Sequence, residues 1–277
     1  MKMTKKILLG AAALVAALAF VGCGAGDGDD TEKAITGSGK KYTVSFTNET
    51  GDEYRAYKTT TLKHAGALVK VTFNNADKPA TFGTSKMGVI FNLKEDGEKR
   101  EFYLIGLNPD KENTNFYVSK YSNITDIKAS NFGAKTNAAE GEPSEIEIVP
   151  LKKSSKISSI EPDADGNWSV YVFYKAINDG SFDFAILNIT DEEAKKITKD
   201  DDYENLDYSA YLDKILESGN TLAKADAEED FADTTGVKFN KNSQKKLAVY
   251  ARIPKDKTLE GSWEIASTYK EADVIEE

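Results

Sequence analysis

The chain has one cysteine, one histidine, two tryptophans and six prolines among 277 residues, and each scarcity excludes something. One Cys and one His cannot build a zinc cage or a haem site, and no complete Ser/His/Asp or Cys/His set exists beyond those single residues. A disulfide framework is excluded as well. Basic residues are in deficit. The 36 Lys and Arg face 46 Asp and Glu, and the net charge of -10 opposes sequence-independent attraction to phosphate backbones or anionic headgroups, so nucleic acid is not an expected partner. No phosphate-cradling glycine loop of either common pattern occurs. With 40% hydrophobic and 10% aromatic residues, the chain is neither collagen-like nor disordered, which leaves a globular body.

Residues 1–22 read as a secretory leader. Lys2, Lys5 and Lys6 form a basic start, and residues 7–21 are an apolar run broken only by Gly10, too short for a membrane span. The run ends in Phe20-Val21-Gly22-Cys23, which resembles the bacterial lipobox, where a small residue precedes a Cys that is lipidated and becomes the mature N-terminus. Phe20 departs from the usual Leu, Val or Ile, a looseness found in spirochaetal lipoproteins, and the leader as a whole resembles those of treponemal lipoproteins. The resemblance implies lipidation of Cys23 and export to a bacterial membrane, the outer membrane facing either periplasm or exterior. The alternative, an ordinary Cys in a leader cleaved elsewhere, leaves the position of the sole cysteine unexplained. Residues 23–40 follow as an expected flexible tether, rich in Gly and Asp with Ile35 the one large apolar residue.

From Lys41 to the C-terminus apolar residues alternate, as in Tyr42/Val44/Phe46, Val69/Val71/Phe73, Val237/Phe239 and Leu247/Val249/Ala251/Ile253. About a dozen strands with local turn signals, among them Asp96-Gly97 and Asn178-Asp179-Gly180, predict a mainly β domain over 41–277, an antiparallel β-sandwich of jelly-roll or concanavalin-like type. Two segments, Phe102 to Leu107 and Trp168 to Tyr174, are apolar on both faces and belong mid-sheet. One short helical insert is expected over about 190–231: Thr190 and Glu193 form a capping box, and Leu206, Tyr211, Leu212, Ile215 and Leu216 make a helical stripe ended by Gly219.

Chemistry is sparse. His64 has no partner identifiable from sequence and reads as a surface residue. Glu145-Ile146-Glu147-Ile148-Val149-Pro150 resembles the active-site strand of laminarinase-type glucanases, which implies Glu145 as nucleophile and Glu147 at the middle acid. Pro150 stands where the acid/base belongs, and proline has no proton to donate. Asp163-Ala164-Asp165-Gly166-Asn167 has oxygen side chains at alternate positions but lacks the distal Glu of a calcium hand, and turns need the same residues. Asp200 to Asp202 form a further acidic run. Hence no catalytic residue, metal or cofactor is expected. The strings around Gly88 to Phe91, Phe102 to Leu107 and Phe116 to Ser119 also resemble, weakly, laminin-G or concanavalin-like sandwiches.

Aromatics are plentiful, with 13 Tyr and 13 Phe. Strand parity predicts one face shared by Tyr103, Tyr117, Tyr121, Tyr171 and Phe173, able to stack on sugars or anchor a protein. The bland alternative is that both faces are simply buried. The sequence therefore reads as a lipid-anchored, non-catalytic binding or adhesion module for a protein or glycan, with a degenerate laminarinase-like enzyme as the alternative.

Overall fold

The computed structural model describes residues 34–49, 53–63, 66–74, 85–96, 99–107, 116–124, 145–148, 153–154, 162–176, 182–197, 221–225 and 245–268. Fourteen strands and one helix lie among them: β1 (Ile35–Ser38), β2 (Lys41–Thr47), β3 (Tyr54–Thr61), β4 (Gly66–Phe73), β5 (Lys86–Asp96), β6 (Lys99–Leu107), β7 (Phe116–Ile124), β8 (Glu145–Ile148), β9 (Lys153–Ser154), β10 (Trp168–Ala176), β11 (Phe182–Leu187), α1 (Asp191–Ile197), β12 (Thr221–Ala225), β13 (Lys246–Ile253) and β14 (Thr258–Thr268). The chain is mainly β, as its alternation predicts. An eight-stranded sheet runs β1-β2-β14-β4-β10-β11-β12-β9 and a six-stranded sheet runs β3-β13-β5-β6-β7-β8. Neighbouring strands in both are antiparallel.

One apolar cluster fills the space between the sheets. Tyr42, Val69, Val71, Val170, Val172 and Trp263 come from the eight-stranded sheet, and Val89, Phe91, Tyr103, Ile105 and Val249 from the six-stranded one. The segments read as apolar on both faces behave as expected. In β6 the odd residues enter this core while Phe102 and Leu104 join a second buried cluster with Ile90, Tyr121 and Tyr250 on the outer face. In β10 the even residues enter the core, and Tyr171 and Phe173 are buried on the opposite face. At the centre Phe91 stacks on Tyr103 at 5.5 Å and on Tyr174 at 4.7 Å, joining the two sheets through aromatic rings.

The Tyr174 hydroxyl is fully buried and has no hydrogen-bond partner among the described residues, and burial pushes its pKa upward. Tyr174→Phe keeps the ring stack and removes that desolvated group. Urea unfolding should show the variant as stable as wild type or up to about 1 kcal/mol more so. A loss larger than that would contradict the absence of a partner.

Two expected boundaries need correction. The tether ends before residue 35, since β1 pairs with β2 through Ile35↔Val44 and Ser38↔Lys41, and Ile35 is wholly buried. The glycines read as flexible here build a turn instead: Gly37 and Gly39 have φ of 104° and 66°, and a Cβ on Gly37 would overlap the Lys41 carbonyl oxygen. The helical insert is also shorter than 190–231. Its capping box forms, with the Glu193 amide donating to Thr190 Oγ1 at 3.1 Å and the Thr190 amide to the Glu193 carboxylate at 2.8 Å. Thr221–Ala225, however, is strand β12, held by β11 and β9. Leu222, Ala223, Lys224 and Ala225 are good helix formers, and ladder pairing overrides that local preference. The expected second helix at about 205–218 and the strand at Val237 and Phe239 lie outside the described residues.

Candidate functional site

Four of the five aromatics expected on one face are distributed over three places. Tyr103 lies between the sheets. Tyr121 lies on the outer face of the six-stranded sheet, where it stacks on Phe102 at 5.1 Å and burial raises its pKa. Tyr171 and Phe173 lie on the outer face of the eight-stranded sheet, only 4% and 1% exposed. Tyr117 stands opposite Gly106 in the β6 to β7 register, and its side chain lies outside the described residues. The shared face therefore does not exist. Parity fails for two reasons: it cannot tell which sheet a strand joins, and register reverses it between neighbours. Phe102, not Tyr103, pairs with Tyr121.

Other candidates can be placed in part. Cys23, His64, Pro150 and Asp200 to Asp202 lie outside the described residues. Glu145 and Glu147 sit on β8, an end strand of the six-stranded sheet opposite Ser122 and Lys120, with side chains not described. The Asp163 carboxylate is engaged by its own turn. It accepts the amides of Asp165 at 2.9 Å and Asn167 at 2.8 Å, while Gly166 takes a φ of 78°. Among the described residues no group of three His, Cys, Asp or Glu converges as a metal site.

What the fold assembles is a polar surface on the outer face of the eight-stranded sheet. Register aligns Thr36, Thr43, Ser262, Thr72 and Ser169 in one row across β1, β2, β14, β4 and β10. Thr36 and Thr43 share a hydrogen bond of 2.8 Å, as do Thr72 and Ser169. These hydroxyls are exposed or half-buried, and each retains further donor or acceptor capacity. They alternate with the buried Val44, Val71, Val170 and Trp263, so the strands that make the core necessarily make the row.

Beside it runs a second row, Lys41, Glu264, Lys70 and Tyr171. Glu264 pairs with Lys41 at 3.3 Å. Asp191, first residue of α1, accepts from Lys70 Nζ at 2.6 Å and from the Tyr171 hydroxyl at 2.7 Å, pinning the helix to the sheet. The hydrogen bond from Lys70, then that from Tyr171, holds the Asp191 carboxyl below its ordinary value. Burial pushes the Tyr171 phenol up, and its bond to Asp191 pushes the same way. Lys70 also lies 5.9 Å from the Tyr171 ring centroid. Sequence reasoning missed these residues because each strand shows only its polar half, and the rows exist only once β1, β2, β14, β4 and β10 are placed side by side. No family model matches the chain, and no curated protein does.

Chemically, the surface can donate and accept hydrogen bonds over five neighbouring strands and present charge of both signs at one side. The aromatic rings described on this face, Tyr171 and Phe173, are buried, so ring stacking is not what it offers.

Proposed function

We propose that the chain is an exported, lipid-anchored, non-catalytic binding module whose ligand surface is the outer face of the eight-stranded sheet. The observation that carries the ligand surface is the hydroxyl row over Thr36, Thr43, Ser262, Thr72 and Ser169, extended by the charged row beside it. The basic start, apolar run and Gly22-Cys23 support the anchor. The partner is a protein or a glycan, and no cofactor is required for such binding.

The test is paired measurement. The chain is probed on an array of glycans and extracellular proteins, and the ligand found there is titrated against Thr43→Phe/Ser262→Phe. Aromatic residues suit strands, so the melting temperature should stay near that of wild type while affinity falls at least about tenfold. Unchanged affinity would move the site elsewhere. For the anchor, Cys23→Ala should leave the membrane fraction, and a variant that still sediments with membranes would remove the lipid from the reading.

A further inference from the structure

The outer face of the eight-stranded sheet is rich in hydroxyls and holds its charges in pairs. Flanking the hydroxyl row stand Lys41, Glu264 and Lys70 on one side and Glu260 on the other. Lys41 lies 3.3 Å from Glu264, and Lys70 lies 2.6 Å from Asp191 of α1. Both lysines are therefore answered on the face itself, and with Glu260 the carboxylates beside the row outnumber them. An anionic ligand would meet no cationic surplus here among the described residues, and the net charge of -10 opposes it further.

The row itself is periodic and pre-ordered. One hydroxyl stands on each of β1, β2, β14, β4 and β10, roughly 4.8 Å from the next, so the five span roughly 19 Å across the strands. Thr36 bonds to Thr43 and Thr72 to Ser169, each at 2.8 Å, with Ser262 between the two pairs. A pair of hydroxyls that shares one hydrogen bond keeps one donor hydrogen and three lone pairs for a ligand. The buried Val44, Trp263, Val71 and Val170 alternate with these residues and fix the backbone beneath them, so little further ordering is needed on binding.

We propose that this row binds an uncharged, extended glycan laid across the strands, one sugar ring to each strand. An extended β-1,4-linked chain advances by about one strand spacing per ring and offers uncharged donors and acceptors at each step. Neighbouring strands rotate by about 20 to 25°, so the row winds as it crosses the sheet, which a single chain can follow and a crystalline layer of chains cannot. A protein partner would look for apolar anchors, and Tyr171 and Phe173 are buried on this face. Without ring stacking, affinity is the sum of many small contacts and must grow with chain length. The proposal rests on the binding-module reading above and names its ligand class.

The full-length chain in a sugar-free detergent is titrated with cello- and chito-oligosaccharides of increasing length, with maltohexaose and polygalacturonate as parallel arms. Affinity should rise with each added sugar up to about five and then level off, and neither parallel arm should match the hexamers. Thr36→Val/Thr43→Val removes both hydroxyls of one pair, so no partner is stranded and valine suits a strand; the melting temperature should hold while hexamer affinity falls at least about tenfold. Thr47→Val/Thr258→Val removes a like pair, bonded at 2.9 Å two rows away, and should bind as wild type does. Absence of binding to both hexamers, affinity that ignores length, or equal loss in the two variants would overturn the row as a glycan site. Polygalacturonate binding as tightly would overturn the uncharged class, and maltohexaose binding as tightly would overturn the extended chain. An array ligand of another class that Thr43→Phe/Ser262→Phe blocks would leave the binding-module reading standing while this proposal falls, whereas an empty array would bring down the reading itself.

Discussion

Trp263→Ala is expected to lower folding stability by about 3 to 5 kcal/mol, read as a shift of the urea midpoint at unchanged cooperativity. Trp263 is among the largest fully buried side chains, and it belongs to the cluster that fills the space between the two sheets. Its indole also links the layers by a hydrogen bond, donating from Nε1 of β14 to the Gly88 carbonyl of β5 at 3.0 Å. Around the indole the fold uses missing side chains. A Cβ on Gly88 would stand 2.7 Å from the Ile105 carbonyl oxygen, and one on Gly261 would stand 2.5 Å from Met87 Sδ. Neighbours so close leave few atoms free to collapse into the vacated volume, which places the cost toward the upper part of its range. Trp263→Phe separates the two contributions: it refills much of the space but leaves the Gly88 carbonyl without the indole, at a cost of about 1 to 3 kcal/mol. A loss below about 1 kcal/mol for the alanine variant would mean that the indole is not the junction between the sheets.

Trp263 also marks how far the sequence could be read. Its alternation with Ile265 predicts a strand with an inward face, and that strand exists. Its partners in the other sheet are remote in sequence, and nothing in the local pattern of β14 or β5 announces that an indole will meet the Gly88 backbone. The same limit governs the candidate site. The strands, the doubly apolar character of β6 and β10 and the capping box at Thr190 are local properties, which periodicity and short-range hydrogen bonding determine. The polar rows depend on strand order, and β14 sits between β2 and β4 although it follows both at a long distance in the chain, beginning only at Thr258. Tyr103 and Tyr171 share a parity yet face different environments in different sheets. Gly37 and Gly39 show the converse difficulty: glycines serve equally for a flexible tether and for positive φ, and only pairing of β1 with β2 decides between them.

Glu53→Gln is the second substitution with a large expected effect, and its effect should depend on pH. Arg55, Arg252 and Lys86 stand side by side on β3, β13 and β5 by register, so three cations share one end of the six-stranded sheet. Glu53 bridges the two arginines. One carboxylate oxygen accepts Arg55 Nε at 2.7 Å, and the other is paired with Arg252. Arg55 is only 8% exposed, so the carboxylate meets a cation already removed from most of its water. Burial alone would push the Glu53 pKa up, but the hydrogen bond from Arg252 and the charges of Arg55 and Arg252 outweigh it and hold the group below its ordinary value. For Lys86, burial first and then the neighbouring Arg252 pull the pKa down, with Glu53 acting in the opposite direction. Glutamine preserves shape and removes the charge, which should cost about 3 kcal/mol at pH 7. A depressed carboxylate stabilises the fold fully above its unfolded pKa and loses that contribution as pH falls through the lower folded value. The gap in stability between wild type and Glu53→Gln should therefore be widest at neutral pH and narrow progressively below about pH 4.5, where protonated Glu53 resembles the glutamine that replaces it. Urea midpoints for both proteins from pH 7 to pH 3 measure this directly. A gap that stayed constant over that interval would assign the loss to packing rather than to the charge, and the arginines would then have to be balanced by other groups.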